Sequence, residues 1–182
     1  MQNEINQAVK ALREGGIIAY PTEGVFGLGC DPFNETAVLR LLKIKQRKVE
    51  KGLILIASSW DQVKDLVKTN LFKSCTIKPN SKKPITWVFP ATKKVPFWIS
   101  GKFDSVAIRV TLHPVAKKLC QKLGGPIIST SANLVDKDPA KNSKQVSEQF
   151  ASVVDFIVSG RVGNLKKPTE IREVKTNKII RR

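Results

Sequence analysis

Residues 17–31 read IIAYPTEGVFGLGCD, a short apolar run followed directly by a glycine-rich segment. The apolar run at residues 17–20 predicts a buried strand, and we expect a loop over residues 21–31. Three glycines within six residues let the backbone approach a ligand closely, and Thr22 adds a hydroxyl group. The segment matches neither the dinucleotide-binding fingerprint nor a Walker A loop. Taken alone, such a turn is more often structural than ligand-binding.

Strands and helices alternate along much of the chain, which favours an α/β fold with a twisted, mixed sheet and flanking helices. The predicted helices are residues 3–13, 35–45, 59–67 (opened by a capping box at residues 59–62), 114–123 and 142–150. The predicted strands are residues 17–20, 53–57, 85–89, 105–110, 127–129 and 156–158, with a terminal hairpin of 170–174 and 178–181. Residues 69–83 lack a clear period and are expected to be mostly loop. Ligands in open α/β sheets bind at strand ends, so the polar segments after Tyr20 and Ser129 are the expected binding loops.

Length and composition predict a single globular domain over residues 1–182, with 41% hydrophobic and 26% charged residues. No apolar run is long enough to span a membrane, and the polar N-terminus does not resemble a signal peptide, so we expect a cytoplasmic protein. The three cysteines form no C-x-x-C pair and have no zinc-ligand spacing, so no metal site is predicted. We favour free thiols over a catalytic Cys–His pair, because His113 precedes Pro114 and is expected to begin a helix.

The chain is strongly basic, with 32 lysines and arginines against 15 acidic residues and a formal net charge of +17. Such a surplus favours polyanionic partners, namely nucleotides, RNA or both. The lysines are scattered rather than clustered, however, and a lysine-rich proteome accounts equally well for that pattern. Direct RNA binding therefore stays open at this point.

Three further segments carry polar side chains at positions suited to a ligand. Lys45 and Arg47 lie at a helix end, where two cations can contact different phosphate oxygens or simply stabilise the helix dipole. Residues 129–133, STSAN, follow a buried strand and offer uncharged donors and acceptors, although a plain capping turn would look similar. Arg109 interrupts an apolar strand, which is costly unless the charge is paired or faces a ligand.

In this order and spacing, the segments resemble the TsaC/YrdC family of threonylcarbamoyl-AMP synthases, in its short single-domain form. The matching residues are 21–23, 26–29, Lys45-x-Arg47, 51–55, 103–105 with Arg109, 129–133 and 168–172. The resemblance extends from about residue 17 to the end of the chain. It departs from the family pattern at residues 80–84, NSKKP, where Trp-Pro-Gly-Pro is usual, and at Val135-Asp136, where Ser-Gly is frequent. Losing those glycines is expected to alter loops at the rim of the site.

The resemblance implies a nucleotidyltransferase with a YrdC-like fold around a basic cavity. Such enzymes condense L-threonine, bicarbonate and ATP, with Mg2+, into threonylcarbamoyl-AMP and pyrophosphate, and a separate complex then modifies tRNA beside the anticodon. It implies ATP contacts from Lys45, Arg47, Thr130, Ser131, Asn133 and Arg181, with Lys45 and Arg47 as the catalytic pair. It implies threonine contacts from Thr22, Arg109, Ser129 and Thr169. The polar residues 130–144 are the candidate for closing the cavity. The alternative is a protein that binds tRNA or rRNA without catalysis.

Overall fold

The computed structural model describes residues 1–68 and 77–181 and contains two mixed β-sheets with helices packed against them. The helices are α1 Gln2–Arg13, α2 Glu35–Ile44, α3 Phe97–Ser100, α4 Pro114–Leu123 and α5 Ser143–Phe150, with 3-10 turns at Val49–Lys51 and Trp60–Leu66. The strands are β1 Ile18–Pro21, β2 Phe26–Gly29, β3 Ile54–Ala57, β4 Ile85–Pro90, β5 Ser105–Val110, β6 Ile127–Ile128, β7 Thr130–Ser131, β8 Phe156–Ile157, β9 Glu170–Glu173 and β10 Ile179–Arg181. The smaller sheet has the order β7-β2-β1-β8, and the larger has the order β10-β9-β4-β5-β3-β6.

The prediction of a loop over residues 21–31 was wrong at residues 26–29, which form the buried strand β2. This strand pairs antiparallel with β1, which places Tyr20 opposite Gly27 and Ala19 opposite Leu28. The sequence hides β2 because two of its four residues are glycines, which have low strand propensity. Gly29 is required there by close packing, since an added Cβ would lie 2.2 Å from the Ile128 carbonyl oxygen.

The chain passes from one sheet to the other at Ser129. Strand β6 pairs antiparallel with β3, with Ile128 opposite Leu55, whereas β7 pairs antiparallel with β2, with Thr130 opposite Leu28. The backbone N–H of Ser129 donates to the Ile54 carbonyl oxygen at 2.9 Å. The strand predicted at residues 127–129 therefore ends at Ile128. The loop predicted to begin at Thr130 instead starts with strand β7 of the smaller sheet.

The helix predictions for α1, α2, α4 and α5 are confirmed to within a residue or so, but the capping box at residues 59–62 was wrong. Residues 60–66 form a 3-10 turn, and the Ser59 side chain makes no capping hydrogen bond. The Gln62 side chain reaches back one residue further and accepts from the Ser58 N–H at 2.8 Å. Val63 and Leu66, three residues apart, are buried together, which fits the three-residue period of a 3-10 turn. Residues 69–76 of the predicted loop, including Cys75, lie outside the described residues.

Strand β1 is buried on both faces, which explains its continuous apolar sequence. Ile17 and Ala19 pack into the larger apolar cluster, whereas Ile18 and Tyr20 pack into a second cluster with α1 and α4. The predicted terminal hairpin is confirmed, since β9 and β10 pair antiparallel at one edge of the larger sheet. Its C-terminal strand carries Arg181 to the cavity described below. None of the helices within residues 1–68 and 77–181 combines the length and hydrophobicity that a bilayer crossing requires.

Candidate active site

A cavity of about 880 Å³ lies where the strand switch joins the two sheets. Its size is within the range of small-molecule sites, and both sheets contribute to its wall. The lining residues are Thr22, Glu23, Gly24, Val25, Phe26, Gly27, Arg47, Leu53, Ile54, Arg109, Ser129, Thr130, Ser131, Lys137, Asp138, Pro139, Lys141, Gln145, Glu148, Gln149, Leu165, Lys166, Lys167, Pro168, Thr169 and Arg181. Seven of these residues are basic and three are acidic, so the cavity suits an anionic ligand.

The structure brings eight of the ten residues predicted for the site to the wall of this one cavity. They are Thr22, Arg47, Arg109, Ser129, Thr130, Ser131, Thr169 and Arg181. The other two, Lys45 and Asn133, are not among the lining residues but form hydrogen bonds with Ser131, which is. Residues more than one hundred positions apart in sequence therefore meet around a single space.

Lys45 anchors the segment that contains β7. Its Nζ donates to the Ser131 carbonyl oxygen at 2.8 Å, to Asn133 Oδ1 at 3.0 Å and to the Asn133 carbonyl oxygen. The Ser131 hydroxyl also donates to Asn133 Oδ1 at 2.6 Å. Burial, followed by the charge of Arg47, lowers the pKa of Lys45 to about 8. The lysine thus positions Ser131 while lying close to the cations of the cavity.

Arg47, Arg181 and Arg109 form a row of guanidinium groups. Burial, followed by the charge of Arg181, lowers the pKa of Arg47, and burial followed by the charge of Arg109 lowers the pKa of Arg181. Arg47 Nη2 donates to the Gly52 carbonyl oxygen at 2.8 Å, and Arg181 Nη2 donates to the Thr169 carbonyl oxygen at 3.3 Å. Because Arg47 and Arg181 repel each other, a polyanion bound beside them would relieve a cost that the free protein carries.

Arg109 forms an ion pair and also lines the cavity. The sequence left open whether its charge is paired or faces a ligand; the charge is paired, and contact with a ligand stays a prediction. Its Nη2 lies 3.3 Å from Glu23 Oε2, and its Nη1 donates to Thr169 Oγ1 at 3.1 Å. Burial alone would raise the pKa of Glu23, but attraction to Arg109 and a hydrogen bond from Thr111 outweigh it and lower that pKa. Sequence reasoning missed Glu23 as a site residue. The available signals were its place beside Thr22 and the unpaired charge in strand β5.

The hydroxyl group of Ser129 and the methyl group of Thr22 both lie beside Gly27. An added Cβ at Gly27 would come within 3.3 Å of both Ser129 Oγ and Thr22 Cγ2. Thr22 Oγ1 donates to the Val25 carbonyl oxygen at 2.7 Å, which fixes its orientation and leaves its lone pairs free to accept. Glycine at position 27 therefore keeps space open between two polar side chains.

Four lysines that the sequence did not single out stand at the cavity wall, namely Lys137, Lys141, Lys166 and Lys167. Two of them belong to the predicted closing segment, residues 130–144. Within that segment Asp136 has a φ of +60°, so it adopts the left-handed conformation at the position where a glycine was expected. Asp tolerates this conformation better than most residues do.

Comparisons with known proteins agree with this architecture. Residues 10–182 match the family model Sua5_yciO_yrdC, described as "Telomere recombination". The chain is 49% identical over 178 residues to a Coxiella burnetii (strain RSA 493) protein named threonylcarbamoyl-AMP synthase, covering 97% of this chain and 96% of that protein. The structure of E. coli YciO matches with a TM-score of 0.83 at 27% identity, covering 100% of this chain and 89% of that chain.

A second solved structure, P. abyssi Sua5 complexed with L-threonine, matches with a TM-score of 0.86 at 30% identity. The match covers 95% of this chain but only 51% of that one, so the chain spans about half the length of the Sua5 protein. The α/β fold with mixed, twisted sheets and flanking helices is thereby confirmed. The family match over residues 10–182 agrees with the resemblance drawn from the motifs, and this chain belongs to the Sua5/YciO/YrdC family.

Proposed function

We propose that the chain is a threonylcarbamoyl-AMP synthase, which forms threonylcarbamoyl-AMP and pyrophosphate from L-threonine, bicarbonate and ATP. The observation that carries this proposal is that one cavity joins a row of cations to a hydroxyl-lined end, where Arg109 is paired with Glu23. The cation row suits a triphosphate. The other end suits an amino acid with its own hydroxyl group. Relatives with this name are aligned with nearly the whole chain.

The reaction needs orientation and charge neutralisation more than it needs a covalent nucleophile. The threonine amine forms a bond to the carbon of bicarbonate, with loss of water, and gives a carbamate. A carbamate oxygen then attacks the α-phosphorus in line, and the bond to pyrophosphate breaks. In our proposal the phosphates contact Lys45, Arg47, Thr130, Ser131, Asn133 and Arg181. The amino acid contacts Thr22, Arg109, Ser129 and Thr169.

Mg2+ enters, in this proposal, as the counter-ion of the ATP phosphates. Among the described residues, no group of three His, Cys, Asp or Glu side chains is placed to hold a metal ion. Mg2+ is usually bound through substrate phosphates together with one or two carboxylates. Asp138 and Glu148 line the cavity and form no ion pair with any residue that the structure describes, so we propose them for that contact.

We further propose that residues 1–182 act as a single domain in the cytoplasm and that the product passes to a separate transferase acting on tRNA. The four wall lysines favour a second candidate function, direct binding of tRNA or rRNA. RNA binding without catalysis is the alternative to the enzyme. It gives no role to the small polar groups at residues 129–133.

The first experiment follows pyrophosphate release from ATP, Mg2+ and bicarbonate, with and without L-threonine. We expect threonine-dependent release, and we expect Arg47→Ala to lower kcat/KM for ATP by about 100-fold, because the variant lacks one charge-assisted hydrogen bond to a phosphate. Arg13→Ala is the matched control, because Arg13 is exposed and donates to the Lys122 carbonyl oxygen of α4, away from the cavity. Threonine-independent release would contradict the proposed reaction, and wild-type turnover by Arg47→Ala would contradict the role given to that residue. No release from folded protein that still binds ATP would favour the RNA-binding alternative.

A further inference from the structure

Positive charge is not distributed evenly along the cavity. Among residues 1–68 and 77–181, Arg47 and Arg181 form no ion pair and donate hydrogen bonds to backbone carbonyl oxygens, which do not cancel their charge. Arg109, at the other end of the same row, faces the carboxylate of Glu23 at 3.3 Å. The cavity therefore has a cationic end and an end where a cation is present but neutralised by its partner.

Glu23 is held in place through both its side chain and its backbone. Thr111 Oγ1 donates to Glu23 Oε1 at 2.6 Å, and the Leu165 N–H donates to the Glu23 carbonyl oxygen at 2.9 Å. The side chain is about 8% exposed, and that of Arg109 about 9%. Neither group can swing away without leaving a buried charge unpaired, which is costly. The pair is a rigid feature of the wall rather than a surface contact.

Arg109 is fixed on its other side as well. Its Nη1 donates to Thr169 Oγ1, which in turn lies 3.2 Å from Thr86 Oγ1 in the buried part of the larger sheet. Glu23 and Thr169 thus hold the two terminal nitrogens of one guanidinium. A buried ion pair contributes little net stability compared with well-packed apolar residues. Stability alone does not account for such a pair at the wall of a ligand cavity.

We propose that Glu23 determines which ligand each end of the cavity accepts. By cancelling the charge of Arg109 and fixing its orientation, Glu23 excludes phosphate groups from that end and reserves it for a zwitterionic amino acid. Without Glu23, the row from Arg47 through Arg181 to Arg109 is a continuous anion site, and phosphates bind along all of it. This inference rests on the proposed function, because it assigns an amino acid and a nucleotide to one cavity.

The test measures threonine affinity by calorimetry at increasing concentrations of inorganic phosphate, which makes the result independent of turnover. Glu23→Gln removes the charge but keeps the size and an acceptor for Thr111. We expect wild-type threonine affinity to be unaffected by phosphate. We expect Glu23→Gln to bind threonine about tenfold more weakly and to show phosphate competition against threonine.

Asp155→Asn is the matched control, because it removes the carboxylate from another arginine pair that lies outside the cavity. Asp155 Oδ2 is 2.9 Å from Arg40 Nη1. We expect the threonine affinity of the Asp155→Asn variant to be unaffected by phosphate, as in the wild type. A purely structural role for Glu23 would lower the melting temperature of the variant without making phosphate competitive.

The inference is overturned if phosphate does not compete with threonine in folded Glu23→Gln, or if it already competes in the wild type. Either result leaves the proposed function standing. Wild-type protein that binds no threonine overturns the proposed function instead, so the two failures are distinguishable. If Glu23→Gln does not fold, Glu23→Ala takes its place. That variant also removes the carboxylate that pairs with Arg109, and it is expected to show phosphate competition against threonine in the same direction; the absence of any competition overturns the inference.

Discussion

Lys45 is a charged residue whose ionisation should respond to ligand binding. Its pKa of about 8 in the free protein reflects burial and the neighbouring Arg47. Phosphates nearby favour the charged form, so binding raises this pKa. Near pH 8 a fraction of the lysine is neutral before binding and becomes charged afterwards. At about pH 6.5 the residue is already charged in both states.

We therefore predict that ATP binding is accompanied by proton uptake at about pH 8 and by little uptake through this group at about pH 6.5. The uptake is measured as the difference in binding enthalpy between buffers of different ionisation enthalpy. Lys45→Arg stays protonated at both pH values and should lose the effect at the higher one. An equal uptake in this variant would assign the proton to another group.

Two glycines of strand β2 should respond differently to the same added methyl group. Gly29→Ala places a Cβ 2.2 Å from the Ile128 carbonyl oxygen, a backbone atom that cannot move alone. We expect a decrease of about 3 kcal/mol in the free energy of unfolding, measured by urea denaturation. Gly27→Ala meets its nearest atoms, which belong to side chains, at 3.3 Å, and we expect weaker threonine binding with a smaller change in stability. Gly125→Ala meets nothing within 4 Å and serves as the control; an equal decrease there would contradict the steric explanation.

Side-chain caps begin the helices α2 and α5, and of these two helices only α5 lines the cavity. Asn34 Oδ1 accepts from the Ala37 N–H at 3.0 Å, and Asn142 Oδ1 accepts from the Gln145 N–H at 2.9 Å. We expect Asn34→Ala and Asn142→Ala each to cost about 1 kcal/mol of stability in thermal or urea unfolding. Only Asn142→Ala should raise KM as well, because the first turn of α5 carries Gln145 to the cavity wall. Equal KM values for the two variants would argue against a role for this wall.

The helices and strands that were predicted well are those specified by neighbouring residues, such as caps and apolar spacing. Asn34 and the helical spacing after it specified α2, and Gly124, with a φ of +86°, ended α4 where expected. Strands β6 and β7 were not separable from sequence, because each has two residues and is defined by backbone pairing with distant strands. Apolar periodicity carries no information about such pairing.

The residues of the candidate site likewise fall into those with a local sequence pattern and those without one. Thr22, Arg47 and Ser131 were found because each lies in a polar stretch next to an apolar one, where loops begin. Glu23 was missed because its partner Arg109 lies on a strand far along the chain, and no local pattern links the two. Lys45 was predicted to contact ATP, which stays a prediction; in the structure its ammonium group binds the backbone of β7, and this contact was not foreseen. Side-chain direction at a helix end is not encoded by residue type.

At the scale of the whole molecule, the net charge of +17 should govern RNA binding more than any single contact does. We predict that tRNA affinity falls steeply with salt, measured as the slope of log K against log salt concentration. Replacing both Lys166 and Lys167 by glutamine should reduce that slope by about 1 to 2, because each phosphate that is no longer neutralised lowers it by about 0.7 to 0.9. The adjacent pair Lys117 and Lys118 on α4 lies outside the cavity lining and is the matched control; the same reduction there would indicate scattered, non-specific attraction.

The strand switch at Ser129 also has a consequence for how the protein folds. The short stretch of residues 127–131 adds an edge strand to each of the two sheets, so the wall between them is complete only when both strands are paired. The ligand cavity is then absent from any partly folded chain in which only one sheet exists. Because both sheets contribute to the cavity wall, we expect bound substrate to stabilise the native state as a whole rather than one local region.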